Sequence, residues 1–398
     1  MIFTRLKIDN LFSFKNAELE LSFKRKPTFP TIDGEHILGR ENYYFKKVCI
    51  LSGTNSSGKT SVGKILCDIQ NYILQNHPLQ SGDKIYNKSK FGVIEVDYAT
   101  TTPKPYAHRL KIEITENNVI NNILYVNSPI GKNDSCFQLR KKIDKIILNK
   151  EAPRGACFFK RDGSEVINFP FEFIKKHGVN GCWYYLFSEN DETSIPIRDT
   201  FDLKIMKSIL SSFDYTIEKV VEIAINGSGK KKEKKEVTGH RIYFKNGDAV
   251  DINDKGDITN NKNRLSKGTY DAIKIASLIG KIGQEKEFCD NDVTCATYYL
   301  DEKMSYSHSE LEVSIINLII SKMGRNCQFF YTTHNYEVLD LNLPIHSFTF
   351  LVKDSGNSFF IEAQEKYKKN DRNLINHIKN NFFKTLPSTN ELERLIED

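Results

Sequence analysis

The sequence predicts an α/β fold: a mixed sheet flanked by helices, joined by an antiparallel β subdomain and carrying a central insertion. Three observations predict it. An apolar run, Val48-Cys49-Ile50-Leu51, leads into a glycine-containing loop and then into a helical pattern. Two further apolar runs, Thr297–Leu300 and Cys327–Thr333, each end in residues able to do chemistry. Elsewhere, short segments alternate apolar and polar residues between turn signals, as half-buried antiparallel strands do.

In chain order, residues 3–24 read as two strands, with Leu6 and Ile8 in the first and Leu19, Leu21 and Phe23 in the second. Asn10–Asn16 connects them. Residues 25–45, with Pro27, Pro30 and Gly34, read as a surface loop. Helix 61–76 places Val62, Ile65, Leu66, Ile69 and Ile73 on one face and stops at His77-Pro78. Phe91–Tyr98, His108–Ile114 and Val119–Val126 then suggest a meander. Residues 127–213 read as an inserted, partly helical subdomain. Helical pieces are expected at Phe171–Lys176 and Leu203–Phe213, and Cys157–Phe159 is expected to pair with Val166–Phe169 across Asp162-Gly163.

Strands Val220–Ile225, His240–Phe244 and Ala249–Ile252 follow, interrupted by the lysine-rich stretch 229–236. That stretch reads as a solvated loop, with contact to nucleic acid or an acidic partner as the alternative. A helix is expected over Tyr270–Gly280, strands over Phe348–Val352 and Phe359–Ala363, and a last helix near Asp371–Phe382. The core is therefore split into 1–126 and 214–398, around the insertion at 127–213.

Composition sets the class without naming a partner. At 398 residues, 39% hydrophobic and 27% charged, the chain reads as an ordinary globular protein. No apolar stretch approaches the ~18 residues of a membrane span. Met1-Ile2-Phe3 starts directly with a strand pattern rather than a leader. Eight scattered cysteines with no C-x-x-C pair fit a reduced, cytoplasmic protein with core thiols. A net charge of +6 permits an anionic partner but does not demand one.

The loop Gly53-Thr54-Asn55-Ser56-Ser57-Gly58-Lys59-Thr60 fits G-x-x-x-x-G-K-[ST], the phosphate-binding P-loop, between a strand and a helix. Backbone N–H groups converge there on an anion, and the helix N-terminus adds its positive dipole end. Lys59 would neutralise the β/γ-phosphates of ATP, and the Thr60 hydroxyl would bind Mg²⁺.

The last third supplies what a P-loop needs opposite it. Leu265-Ser266-Lys267-Gly268-Thr269 opens a helix, so the Ser266 hydroxyl and the Gly268 N–H are placed to face an anion. Asp301 and Glu302 end an apolar strand. Asp301 would hold Mg²⁺ through water, and Glu302 would orient or deprotonate an attacking water. His334 ends another strand, where it can reach a γ-phosphate, since open α/β sheets bind ligands at strand carboxyl ends.

That order resembles ABC-type ATPases of the SMC/RecF group. More closely, the chain resembles the AbiLi-type (class-15 AAA, OLD-like) ATPases of bacterial abortive-infection systems. Asn10-Leu11-Phe12-Ser13-Phe14-Lys15 is similar to that group's opening strand turn, which adds Ser13 to the nucleotide contacts. Asn55 is typical of its P-loops. Leu265–Thr269 resembles its signature, Tyr299–Glu302 its Walker B strand, Ser305–Leu311 its interface segment, and Tyr331–Asn335 with Leu339-Asp340 its histidine segment. The likeness covers roughly 1–126 and 259–365. Lys267 and Thr269 stand where transporter signatures carry Gly and Gln, and Ser309 where the interface segment carries Pro.

The resemblance implies a homodimer or higher homo-oligomer with ATP sandwiched between copies, Ser266 and Gly268 of one facing the P-loop of the other. It further implies an anti-phage role, with a nuclease or toxic effector as a separate protein, since the stretch after His334 is too short for an added nuclease. The alternatives are a RecF/SMC-like repair ATPase that binds DNA and a nucleotide-gated scaffold without significant turnover.

Overall fold

The computed structural model describes all residues except 25, 27–28, 103, 163–180, 196–201, 226–235, 255, 367–373, 386–389 and 398. It divides into two compact units. The first is Met1–Trp183, Phe288–Asp301 and Arg325–Asp398, and the second is Tyr184–Glu287 and Glu302–Gly324.

Two sheets build the first unit. An antiparallel sheet runs β2 (Ala17–Glu20), β1 (Ile2–Asp9), β6 (Gly92–Thr100), β7 (Tyr106–Ile114), β8 (Ile120–Pro129), β9 (Cys157–Asp162). The expected meander is its middle, β6–β7–β8, where Ile94, Val96, Leu110, Ile112 and Ile123 supply buried side chains. The loop expected over 25–45 instead holds two short strands, β3 (His36–Ile37) and β4 (Arg40–Tyr44). Ile37, Tyr43 and Phe45 there join the core formed by Ile2, Ala99 and Val126. Pro30 lies in a bend and Gly34 in a turn, and these breaks conceal the apolar residues that follow them.

The same core receives a helix that the sequence reading missed, α2 (Cys136–Asn149). Its Ser135/Gln138 capping box is complete, and Leu139, Ile143 and Ile146 are buried. Burial of each such side chain contributes about 1.5–3 kcal/mol. Arg140 of this helix donates to Glu20 Oε1 at 2.7 Å and to Thr4 O at 2.6 Å, tying it to the first two strands.

The second sheet carries the chemistry. Its strands are β14 (Ala296–Asp301), β15 (Cys327–Thr333), β5 (Val48–Gly53), β16 (Phe348–Asp354) and β17 (Asn357–Glu362), in that order. The first four run parallel and β17 antiparallel, so the sheet is mixed as expected. Parallel central strands are buried on both faces and read as continuous apolar runs, and every residue of β5, β14 and β15 is buried. At the β14 edge, β10 (Cys182–Leu186) begins with the Cys182 N–H donating to Cys295 O at 2.8 Å. β14 and β15 lie on one side of β5 and β16 on the other. The carboxyl end of β5 is thus a point where the strand order reverses, the usual ligand position in open α/β sheets. Helix α1 (Lys59–Gln75) leaves from there.

The second unit contains an antiparallel sheet of β11 (Ile217–Ile225), β12 (Glu236–Phe244) and β13 (Ala249–Asn253). Helix α3 (Leu203–Phe213) packs on β11, and its Met206, Ile209 and Leu210 are buried. Helix α4 (Lys267–Asp290) is longer than its expected span, and α5 (Ser309–Lys322) was not expected. Of residues 127–213, those up to Trp183 fall in the first unit and those from Tyr184 in the second. β8 and β9 pair directly, which carries the first part into the meander sheet.

Short helices α6 (Ala363–Lys366), α7 (Leu374–Lys379) and α8 (Asn390–Glu397) complete the described chain. The expected helix Phe171–Lys176, strand Val166–Phe169, most of the lysine-rich stretch 229–236 and the start of Asp371–Phe382 lie outside the described residues. Among the described residues no helix is long and apolar enough to cross a membrane.

Candidate nucleotide-binding site

The loop between β5 and α1 is shaped by what lies beneath it. Gly53 runs so close to β16 that a Cβ there would stand 2.2 Å from Leu351 O. Gly58 has φ +105°, and a Cβ would stand 2.7 Å from Phe14 Cζ. Both positions need glycine, one for close approach and one for left-handed backbone. Ser56 also has positive φ, +60°, and it and Asn55 are exposed at the crest. Strained backbone of this kind persists where the surroundings fix it.

Lys59 is 3% exposed, so its ammonium needs partners inside the protein. It donates to Gly53 O at 3.0 Å and to Thr54 O at 3.1 Å. It also faces the His334 ring, with Nε2 at 3.1 Å. An ammonium can only donate, so the ring nitrogen facing it accepts. Lys59 and His334, far apart in sequence, thus meet at the mouth of the loop.

Asp301 is fully buried and both its oxygens are used. Oδ2 accepts from the Thr60 hydroxyl at 2.9 Å and Oδ1 from the Thr332 hydroxyl at 2.7 Å. The parallel register sets this arrangement, because Asp301 and Thr332 are ladder partners in β14 and β15. The Tyr299 hydroxyl donates to Lys59 O at 2.6 Å, fixing the first turn of α1 to β14. A hydroxyl and a carboxylate side by side form a hard oxygen pair suited to Mg²⁺. Among the described residues no cluster of three His, Cys, Asp or Glu is placed to cage a metal. Mg²⁺ does not require one, since it is commonly held by one or two protein oxygens together with substrate phosphates. The Thr60–Asp301 pair therefore fits the expected ion.

Two further candidates are Ser57 and Ser13. Ser57 is fully buried, its N–H donates to Thr54 O at 3.3 Å, and its hydroxyl lies under the loop, 2.9 Å from where a Gly53 Cβ would be. Ser13 pairs its hydroxyl with that of Ser358 at 2.7 Å, and its carbonyl accepts from the Ser358 N–H at 2.7 Å. This joins the β1–β2 turn to β17. The same turn holds Phe14, stacked on Phe360 with centroids 5.4 Å apart, as the floor beneath Gly58.

The remaining candidates, Ser266, Gly268 and Glu302, belong to the second unit. Ser266 is exposed and caps α4, its hydroxyl accepting from the Thr269 N–H at 3.1 Å. Gly268 is buried, and a Cβ there would meet Tyr306 O at 3.0 Å. Glu302 has φ +50°, and its carbonyl accepts from the Ser305 hydroxyl at 2.7 Å.

Sequence reasoning missed Thr332, Tyr299 and Phe14. Thr332 could have been found from the register of two parallel strands. Tyr299 had no signal beyond its place in an apolar strand, and Phe14 stood in a quoted motif with no role attached.

No family model and no curated protein sequence matches the chain. Two solved structures of the recombination mediator protein RecF in the RecFOR pathway align with it. The one with ATPrS covers 90% of this chain and 98% of its own, at 9% identity and TM-score 0.39. The one with ATP covers 84% and 92%, at 11% identity and TM-score 0.33.

Proposed function

We propose that the chain is an ATPase of ABC/SMC type that binds ATP with Mg²⁺ at Gly53–Thr60 and transfers its γ-phosphoryl group to water. One observation carries this: Thr60 meets the buried Asp301 carboxylate at 2.9 Å on the strand-loop-helix that also brings Lys59 to His334. Loop N–H groups and Lys59 would hold the β- and γ-phosphates, and Thr60 and Asp301 would hold the ion. Bound there, Mg²⁺ supplies charge neutralisation on the phosphate oxygens. His334 would hydrogen-bond the γ-phosphate. Glu302 would orient the water and take its proton as its oxygen bonds to γ-phosphorus and ADP departs.

The reading extends to a homodimer in which Ser266 and Gly268 of a second copy complete the site. By the resemblance of its motifs, it also extends to a subunit of an anti-phage system whose nuclease or toxic effector is a separate protein. Turnover is the first test. Lys59→Ala is expected to abolish ATP binding, and Glu302→Gln to keep binding while stopping hydrolysis and accumulating a dimer. Normal turnover in Glu302→Gln removes that residue from its role, and binding without turnover in the unaltered protein leaves a nucleotide-gated scaffold. The defence role fails if Lys59→Ala leaves phage sensitivity unchanged. ATP-dependent retention of DNA by the chain alone would instead make it a repair ATPase.

A further inference from the structure

The residue directly after Glu302 is a buried lysine with two acidic partners. Lys303 is 3% exposed. Its ammonium donates to Asp191 Oδ1 and lies 3.6 Å from Asp271 Oδ1 on α4. Around the same carboxylates stand Lys267, 3.6 Å from both Asp191 and Asp271, and Lys274, which donates to Asp191 O at 3.1 Å. Asp191 ends the short helical turn Glu189–Asp191 with φ +52°. Burial would raise its pKa, but Lys303, Lys274 and Lys267 outweigh that and hold it below the ordinary value. All these residues belong to the second unit.

A lysine with its charge buried is costly unless paired, so a location this specific calls for a reason. Its neighbour supplies one. Glu302 has φ +50°, a conformation an L side chain keeps only when the structure on either side holds it. On the far side, the Ser305 hydroxyl donates to Glu302 O, and Tyr306 O packs on Gly268 at the head of α4. Next to Glu302 itself, the anchor is the Lys303 ion pair. The turn carrying Glu302 is thus fastened to the same helix end that begins with Ser266.

We infer that Lys303, clamped by Asp191 and Asp271, is a positioning residue for Glu302: it holds the left-handed turn in the geometry that hydrolysis needs and couples that turn to the first turn of α4. This rests on the ATPase reading above. Its signature is a loss in kcat without a loss in nucleotide affinity, because Lys303 acts through Glu302.

The test compares ATP turnover and ATP affinity in the full chain, Lys303→Met, Lys303→Arg, Glu302→Gln and the Glu302→Gln/Lys303→Met double variant. Lys303→Met is expected to lower kcat tenfold or more with KM and affinity within twofold, and Lys303→Arg to recover part of it. The double variant should be no slower than Glu302→Gln alone. The inference is overturned if Lys303→Met turns over within twofold of the unaltered protein, or if it slows Glu302→Gln by the same factor as it slows the parent. Should Lys303→Met fail to fold, Asp191→Asn replaces it, with the same loss of kcat expected and an unchanged kcat overturning the inference. Absence of turnover in the unaltered protein overturns the ATPase reading and this inference together. Turnover with a silent Lys303 overturns this inference alone.

Discussion

Replacing Gly58 by Ala tests whether the loop's shape is dictated from below. The substitution meets two costs. At φ +105° and ψ 15° the backbone lies in the left-handed region, which disfavours an L side chain by about 1–2 kcal/mol. The new methyl would also stand 2.7 Å from Phe14 Cζ and 3.2 Å from Cε2. Phe14 is 1% exposed and stacked on Phe360, so its ring has little room to turn away. Overpacking of this kind costs about 1–3 kcal/mol. Together the loss is about 2–5 kcal/mol, read as a lower urea midpoint at constant slope. Any relief by movement of the loop shifts the N–H groups that would hold phosphate in the proposed reading, and each 1.4 kcal/mol of that strain is then expected to cost about tenfold in ATP affinity by calorimetry. The two shares separate in a double-mutant cycle with Phe14→Leu. The smaller side chain should recover the packing share, a favourable coupling of about 1–3 kcal/mol, and leave the backbone share. Wild-type stability and affinity in Gly58→Ala would refute the argument, and zero coupling to Phe14→Leu would refute the contact.

Three other outcomes follow from particular groups. His240 in β12 is 2% exposed, and burial pushes its pKa from 6.5 down to about 4. The unfolded chain therefore takes up a proton that the folded one does not, so its stabilisation is complete above pH 6.5 and is lost towards pH 4. The slope is about 1.4 kcal/mol per pH unit within that window. Urea titrations of the protein and of His240→Gln between pH 7.5 and 4.5 should differ in that slope, and equal slopes would count against it. Asp97, buried in the meander, accepts a hydrogen bond from Arg109 Nε at 2.6 Å and forms an ion pair with Arg5, whose Nε lies 2.9 Å away. Burial would raise its pKa, but Arg109, then Arg5 and Arg140, hold it below the ordinary value, so its stabilisation is present at neutral pH and fades as acid approaches that value. Asp97→Asn leaves buried guanidiniums unbalanced and should cost about 3–5 kcal/mol in a denaturant titration at pH 7; a loss under 1 kcal/mol would contradict it. Ser266→Arg should block hydrolysis, and mixing it with Lys59→Ala should restore some turnover through one composite site. No recovery at any ratio argues against sites completed by a second copy.

What could be read in the sequence depended on how local its cause was. Helix α1 was legible because Val62, Ile65, Leu66, Ile69 and Ile73 repeat with the helical period, and all five are buried. β5, β14 and β15 were legible because strands covered on both faces are apolar without interruption. Helix α2 carried a Ser135/Gln138 capping box and buries Leu139, Ile143 and Ile146, yet three lysines and Arg140 dilute its pattern. The β3–β4 segment was hidden differently. Its apolar residues Ile37, Tyr43 and Phe45 follow no single period, since two short strands and a turn separate them, and only the surrounding core shows why they are buried.

The site divides along the same line. Gly53, Gly58, Lys59 and Thr60 are fixed by contacts within one loop, so a local motif reports them. Asp301 is another matter: an acidic residue ending an apolar strand is common, and nothing near it in sequence says which hydroxyl it will meet. Its position follows from β14 lying beside β15, and β15 beside β5, in parallel register. That register sets Thr332 against Asp301 and brings the Asp301 carboxylate within reach of Thr60, two strands away. Phe14 shows the complement, a residue whose role is wholly non-local. Its ring lies under Gly58 because Ser13 is bonded to Ser358 on β17, the strand next to β16, which in turn flanks β5. A substitution at Ser13 or Ser358 should therefore reach the Gly53–Thr60 loop through Phe14.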